Sequence, residues 1–69
     1  MKISARNVLK GKITEVKKGA TTAHVRIDVG GTTVTASITN EADDELGLKV
    51  GQEAFAIIKA SDVLVGIAD

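Results

Sequence analysis

The sequence predicts a mainly-β chain: a five-stranded Greek-key barrel of the OB type, with one short helix between strands three and four. Three observations predict it. Short apolar segments follow one another at close spacing, separated by glycine-bearing turns. Two of them alternate apolar and polar residues with a period of two. The one stretch that breaks this pattern carries the start and stop signals of a helix.

Segment 8–16 (VLKGKITEV) reads as the first strand, with Gly11 as a bulge, and Lys17-Lys18-Gly19-Ala20 as the loop after it. Segment 23–29 (AHVRIDV) alternates strictly. Ala23, Val25, Ile27 and Val29 face one way; His24, Arg26 and Asp28 face the other, as in a half-buried strand. Gly30-Gly31 is a two-residue hairpin signal, because both positions tolerate positive φ. The next strand, Thr32–Ile38, alternates through Val34, Ala36 and Ile38. Thr39 or Asn40 then caps a short helix that ends at Gly47, with Asp43, Asp44 and Glu45 as a solvated acidic face.

Val50-Gly51-Gln52 is a turn. Segments 53–58 (EAFAII) and 63–67 (VLVGI) are nearly continuous apolar runs and supply the last two strands. Phe55, Ile57, Val63 and Val65 are expected inside, leaving Ala54, Ala56, Ile58 and Leu64 outside. An outward apolar stripe marks a subunit interface. The competing reading covers both faces within the barrel by the helix and termini.

Size points the same way. Sixty-nine residues make one domain, 1–69. A domain this short buries only about 60% of its unfolded surface and needs reinforcement. There are no cysteines, so no disulfide and no thiolate metal site, and the single histidine, His24, cannot build a zinc site alone. Oligomerisation is the reinforcement left.

Composition excludes several functions. Nine basic residues balance nine acidic ones, and Phe55 is the only aromatic. Single-strand nucleic-acid binding by an OB barrel needs a basic groove with stacking platforms, so no nucleic-acid partner is expected. The opening MKISARNVLKGKI is interrupted by Arg6, Lys10 and Lys12. It makes neither a signal peptide nor a membrane span, which implies a cytoplasmic protein with no membrane partner. His24 has no nucleophile near it in sequence, and the adjacent acids point in different directions. No catalytic constellation forms, and the chain is not expected to be an enzyme.

Two segments suit another chemistry. Ser4-Ala5-Arg6-Asn7 and Lys59-Ala60-Ser61 each combine a full positive charge with a hydroxyl and small neighbours. Small residues let backbone N–H groups approach a ligand. The set is rich in donors, which is what a tetrahedral dianion with four oxygens requires. Thr39 adds a hydroxyl at a helix N-terminus, which favours anions. The blander alternative makes Ser4 a turn residue and Lys59 a solvated strand end.

The opening KISARN, the central ASIT, the helix closing on LGL and the later KASDV resemble the molbindins, over essentially the whole chain from Lys2 to Ile67. These are small molybdenum-pterin-binding proteins built on a transport-associated OB unit. The resemblance implies binding of molybdate or tungstate as an oxyanion, without direct metal coordination by side chains and without a catalytic cofactor. It implies a hexamer, a trimer of dimers, with anions held at subunit interfaces. By position in the shared motifs, Ser4, Arg6, Lys59, Ala60 and Ser61 become anion ligands, and Thr39 by its place in ASIT. Regulators with similar units carry a serine shortly after that threonine, where this chain has Ala42. The family has more than one class of site, and Gly19-Ala20-Thr21-Thr22 is the expected second one. Storage or buffering of the anion is the leading function. The alternatives are a molybdate-responsive module acting on a protein partner, a nucleic-acid binder, and an enzyme of molybdenum-cofactor assembly.

Overall fold

The computed structural model describes all 69 residues. Four strands form one antiparallel sheet: β1 (Asn7–Lys18), β2 (Thr22–Asp28), β3 (Thr33–Thr39) and β4 (Glu53–Ile58). The helix α1 (Asn40–Leu46) lies between β3 and β4. The strand order is β3-β2-β1-β4, so a fourth strand returns beside the first in Greek-key fashion. The fold is mainly β and OB-like, with one short helix.

β1 is the spine because it changes partners along its length. Residues Asn7 to Lys12 pair with β4, and Lys12 to Lys18 with β2. Lys17 and Lys18, expected in a loop, extend the strand instead, paired with His24 and Ala23. The expected bulge at Gly11 lies further on, between Ile13 and Glu15. Gly11 has a different reason to be glycine: an added Cβ would sit 2.2 Å from the Asp28 carbonyl oxygen. Its missing side chain lets β2 cross close to β1 where the partners change.

The alternation in β2 holds. Ala23, Val25 and Ile27 are buried, while the residues between them are exposed. Ile13, Val25, Ile27 and Ala56 form the core cluster, with Val34, Ala36 and Ile38 of β3 packed against it. The hairpin is also as expected: the Val29 N–H donates to the Thr32 carbonyl at 2.8 Å around Gly30-Gly31, whose φ values are 94° and 92°.

In β4 the expected faces are reversed. Ala56 is buried, Ala54 is half-buried, and Phe55 and Ile57 are 43% and 40% exposed. Register decides this. Ala54 and Ala56 lie opposite Gly11 and Leu9, which share the parity of buried Ile13. With a side-chain period of two, Phe55 and Ile57 must take the other side.

Thr39 caps α1, its Oγ1 accepting from the Ala42 N–H at 3.0 Å, and Gly47 ends the helix at φ 60°. The acidic face differs from expectation, because Asp43 is buried. Lys18 reaches its Oδ2 at 3.9 Å and also bonds Asp44. The fifth strand does not form within the chain. After β4 come a 3-10 turn, Ala60–Asp62, and an unpaired tail, with Leu64, Val65 and Ile67 at 91% or more exposed. A strand needs a neighbour to bond to, and the local apolar run supplies none.

Candidate functional site

The β1–β4 ladder ends at the pair Asn7↔Ile58. Asn7 reinforces it, its Nδ2 donating to the Ile58 carbonyl at 3.2 Å. Arg6 and Lys59 are the residues just outside that last pair, so the register holds the two cations on neighbouring segments. The turn after β4 is closed by the Asp62 N–H on the Lys59 carbonyl at 2.9 Å. Ala60 and Ser61 lie on this turn, and Ser4 lies two residues before Arg6.

All of Ser4, Arg6, Lys59, Ala60 and Ser61 are exposed. No carboxylate lies within ion-pairing distance of Arg6 or Lys59; the chain's ion pairs fall on Lys10, Lys18 and Arg26. The Ser4 and Ser61 hydroxyls have no partner within the chain either. Two uncommitted cations and two uncommitted hydroxyls thus share one end of the ladder. Such a set is able to accept an anion with several oxygens.

Thr39 is elsewhere. It pairs with Thr22 at the opposite end of β1, and its oxygen is engaged in the helix cap. The hydroxyl proton is still available to donate. One chain therefore does not bring Thr39 to Arg6 and Lys59.

Thr39 does meet the second expected segment. Gly19 to Thr22 form a tight turn, the Gly19 N–H donating to the Thr22 carbonyl at 2.7 Å. Asn40 ties this turn to the helix. Its N–H donates to Thr21 O at 3.0 Å and its Nδ2 to Gly19 O at 3.1 Å. Beside the turn is a polar cleft of about 260 Å³ lined by Lys17, Lys18, Gly19, Thr22 and His24. Ala20 and Thr21 are not among its walls. Lys18 is committed to the acids of α1: its hydrogen bond to Asp44 raises its pKa, burial opposes this, and the charges of Asp44 and Asp43 add to the rise. Lys17 has no such partner.

Sequence reading missed Lys17 and His24 as neighbours of the second site. His24 was legible in part, since it shares the polar parity of β2 with Thr22. Lys17 needed the strand pairing to bring it opposite His24. Nowhere do three or more histidine, cysteine or acidic side chains gather as metal ligands. No helix is long and apolar enough to cross a membrane.

The TOBE domain matches residues 3–65. A probable molybdenum-pterin-binding protein of Haemophilus influenzae is 53% identical over 68 residues, covering 97% of this chain and 99% of the relative. MopII from Clostridium pasteurianum superposes with a TM-score of 0.90 at 43% identity, over 96% of this chain and all of MopII. The cytoplasmic molybdate-binding protein ModG, solved with molybdate bound, gives a TM-score of 0.93 at 45% identity. There the match covers 99% of this chain and 49% of ModG. The chain belongs to the TOBE-domain family and is a molbindin-type member of it, akin to the molybdenum-pterin-binding proteins.

Proposed function

We propose that this chain binds molybdate or tungstate, as a cytoplasmic protein that stores or buffers the oxyanion and is not an enzyme. All 69 residues act as one binding unit. The observation that carries the reading is the pair of unpartnered cations, Arg6 and Lys59, at the open end of the β1–β4 ladder. Ser4 and Ser61 add hydroxyl donors, and the small Ala60 lets backbone N–H groups approach. ModG, so similar in fold, is a molybdate-binding protein solved with the anion in place.

The anion is held at interfaces of a homo-oligomer, a hexamer built as a trimer of dimers. The separation of Thr39 from Arg6 and Lys59 supports this: a second copy has to supply Thr39 if one anion is to touch all of them. The Gly19–Thr22 turn, with Lys17 and His24 beside it, is the second class of site.

Calorimetric titration of Arg6→Ala and Lys59→Ala with molybdate tests the assignment, with sulfate as competitor. Each variant leaves a partly desolvated dianion short of one countercharge. The expected loss is about 2–3 kcal/mol, roughly thirty- to two-hundredfold in affinity. Parent-like affinity in variants that remain assembled would show the site to be wrong.

A further inference from the structure

We propose that Asn7 is a positioning residue of the anion site: its amide holds Arg6 and Lys59 side by side before any anion arrives. The role rests on the Arg6–Lys59 site proposed above and concerns how that site is kept in shape.

The two cations stand where a ladder is weakest. Asn7↔Ile58 is the last pair between β1 and β4, and the same register continued by one step sets Arg6 opposite Lys59. No backbone hydrogen bond beyond the strand ladders involves residues 1–6. Ladder ends fray. Like charges facing one another across neighbouring strands drive them apart. With no carboxylate near either cation, nothing in the chain offsets that repulsion.

Asn7 supplies the restraint. It shares the parity of Gly11 and buried Ile13, the inward side of β1, where an apolar side chain is the ordinary choice. A half-buried amide there is costly unless it is bonded. Its Nδ2 donates to the Ile58 carbonyl at 3.2 Å, across 51 residues of sequence. The one other side-chain tie between β1 and β4 is the ion pair Lys10–Glu53, which is exposed and lies further into the ladder.

The acceptor is what gives this bond its leverage. The Ile58 carbonyl and the Lys59 N–H belong to one planar peptide unit, so fixing the carbonyl fixes the plane from which Lys59 departs. The Lys59 carbonyl is held from the other side, by the Asp62 N–H at 2.9 Å. Lys59 is thus fixed before and after its Cα, at φ −64°, ψ 135°. On β1, the Asn7 N–H shares its peptide unit with the Arg6 carbonyl. One side-chain bond therefore joins the backbones that carry both cations. A site already in shape loses less freedom when its ligand binds.

A double-mutant cycle tests this, with molybdate affinity read by equilibrium dialysis up to millimolar anion. The four proteins are the parent, Asn7→Leu, Arg6→Ala and the double variant, each checked for parent-like circular dichroism and sedimentation. Leucine keeps the branched shape on the inward side and removes the donor. Asn7→Leu is expected to weaken binding about tenfold, the scale of one net hydrogen bond. In the Arg6→Ala background, where no pair of cations is left to hold, the same change should cost less than about twofold. Three results would overturn the proposal. Parent-like affinity of Asn7→Leu beside a weakened Arg6→Ala leaves the site standing and removes Asn7 from it. Equal losses in both backgrounds mean that Asn7 acts alone, as a direct ligand or through stability. Parent-like affinity of Arg6→Ala removes the site itself, and this role with it. Where Asn7→Leu does not assemble, Asn7→Ala takes its place; loss of the folded assembly in both makes the bond a folding element and refutes a positioning role.

Discussion

Gly11→Ala tests how tightly the turning point of β1 is built. The new methyl carbon would lie 2.2 Å from the Asp28 carbonyl oxygen and 2.9 Å from both the Asp28 carbonyl carbon and Ile27 Cγ2. Ordinary contact begins at 3.4 Å, so roughly 1.2 Å of retreat is required (3.4 less 2.2). The nearest atoms are backbone, with no flexible side-chain end to swing away. Asp28 is held on both sides, paired with Lys12 and Thr33, and its Oδ1 accepts from the Gly31 N–H at 2.8 Å. Overpacking of this kind costs about 1–3 kcal/mol. One lost ladder hydrogen bond adds about 1 kcal/mol. The reduced freedom of the unfolded alanine chain returns about 0.4–1 kcal/mol. The net expectation is a loss of about 2 kcal/mol, or roughly 8–16 °C in melting temperature for a domain of this size. Urea unfolding followed by circular dichroism measures it, at one fixed protein concentration because assembly shifts midpoints. A loss below about 1 kcal/mol would refute the close-approach argument.

Two further outcomes follow from the helix and its ties. Thr39→Ala removes the cap on Ala42 and should cost about 1 kcal/mol, whereas Thr39→Ser should restore most of it in the same urea assay. Lys18 has its pKa raised in the folded state by its bond to Asp44, so its contribution is complete below the ordinary lysine value of 10.5 and fades as pH climbs through the raised folded value. Melting temperature should therefore fall on the alkaline side above about pH 10, and Lys18→Met should flatten that fall.

What the sequence disclosed depended on how local each cause was. β2 was legible because every second residue is apolar, and the Gly30-Gly31 hairpin and the Thr39 and Gly47 caps because each rests on the chemistry of one or two residues. The faces of β4 were not legible: EAFAII has no period of two, and only its pairing with Leu9 and Gly11 decides which residues turn inward. Asp43 read as a surface acid because the neighbouring Lys18 comes from a strand 25 residues earlier. The expected fifth strand over 63–67 does not form in the chain, since five apolar residues carry no information about an edge to pair with. For the site, Arg6 and Lys59 were picked out as charged residues beside hydroxyls and small neighbours, and their adjacency came from the antiparallel register. Thr39 was identified as a cap, but its distance from them is a matter of topology that no local pattern carries.

Only five apolar side chains are buried in the single chain: Ile13, Ala23, Val25, Ile27 and Ala56. Under the proposed assembly, so slight an interior makes folding and association a single reaction governed by mass action. Dilution alone should then lower the melting temperature, and an oxyanion held between copies should raise it, by about 2.7 kcal/mol of stability when the free anion stands at a hundred times its dissociation constant. In a cell, unassembled chains are the ones open to proteases. The quantity of this protein that survives would then track the supply of the anion it holds, with no change in its synthesis.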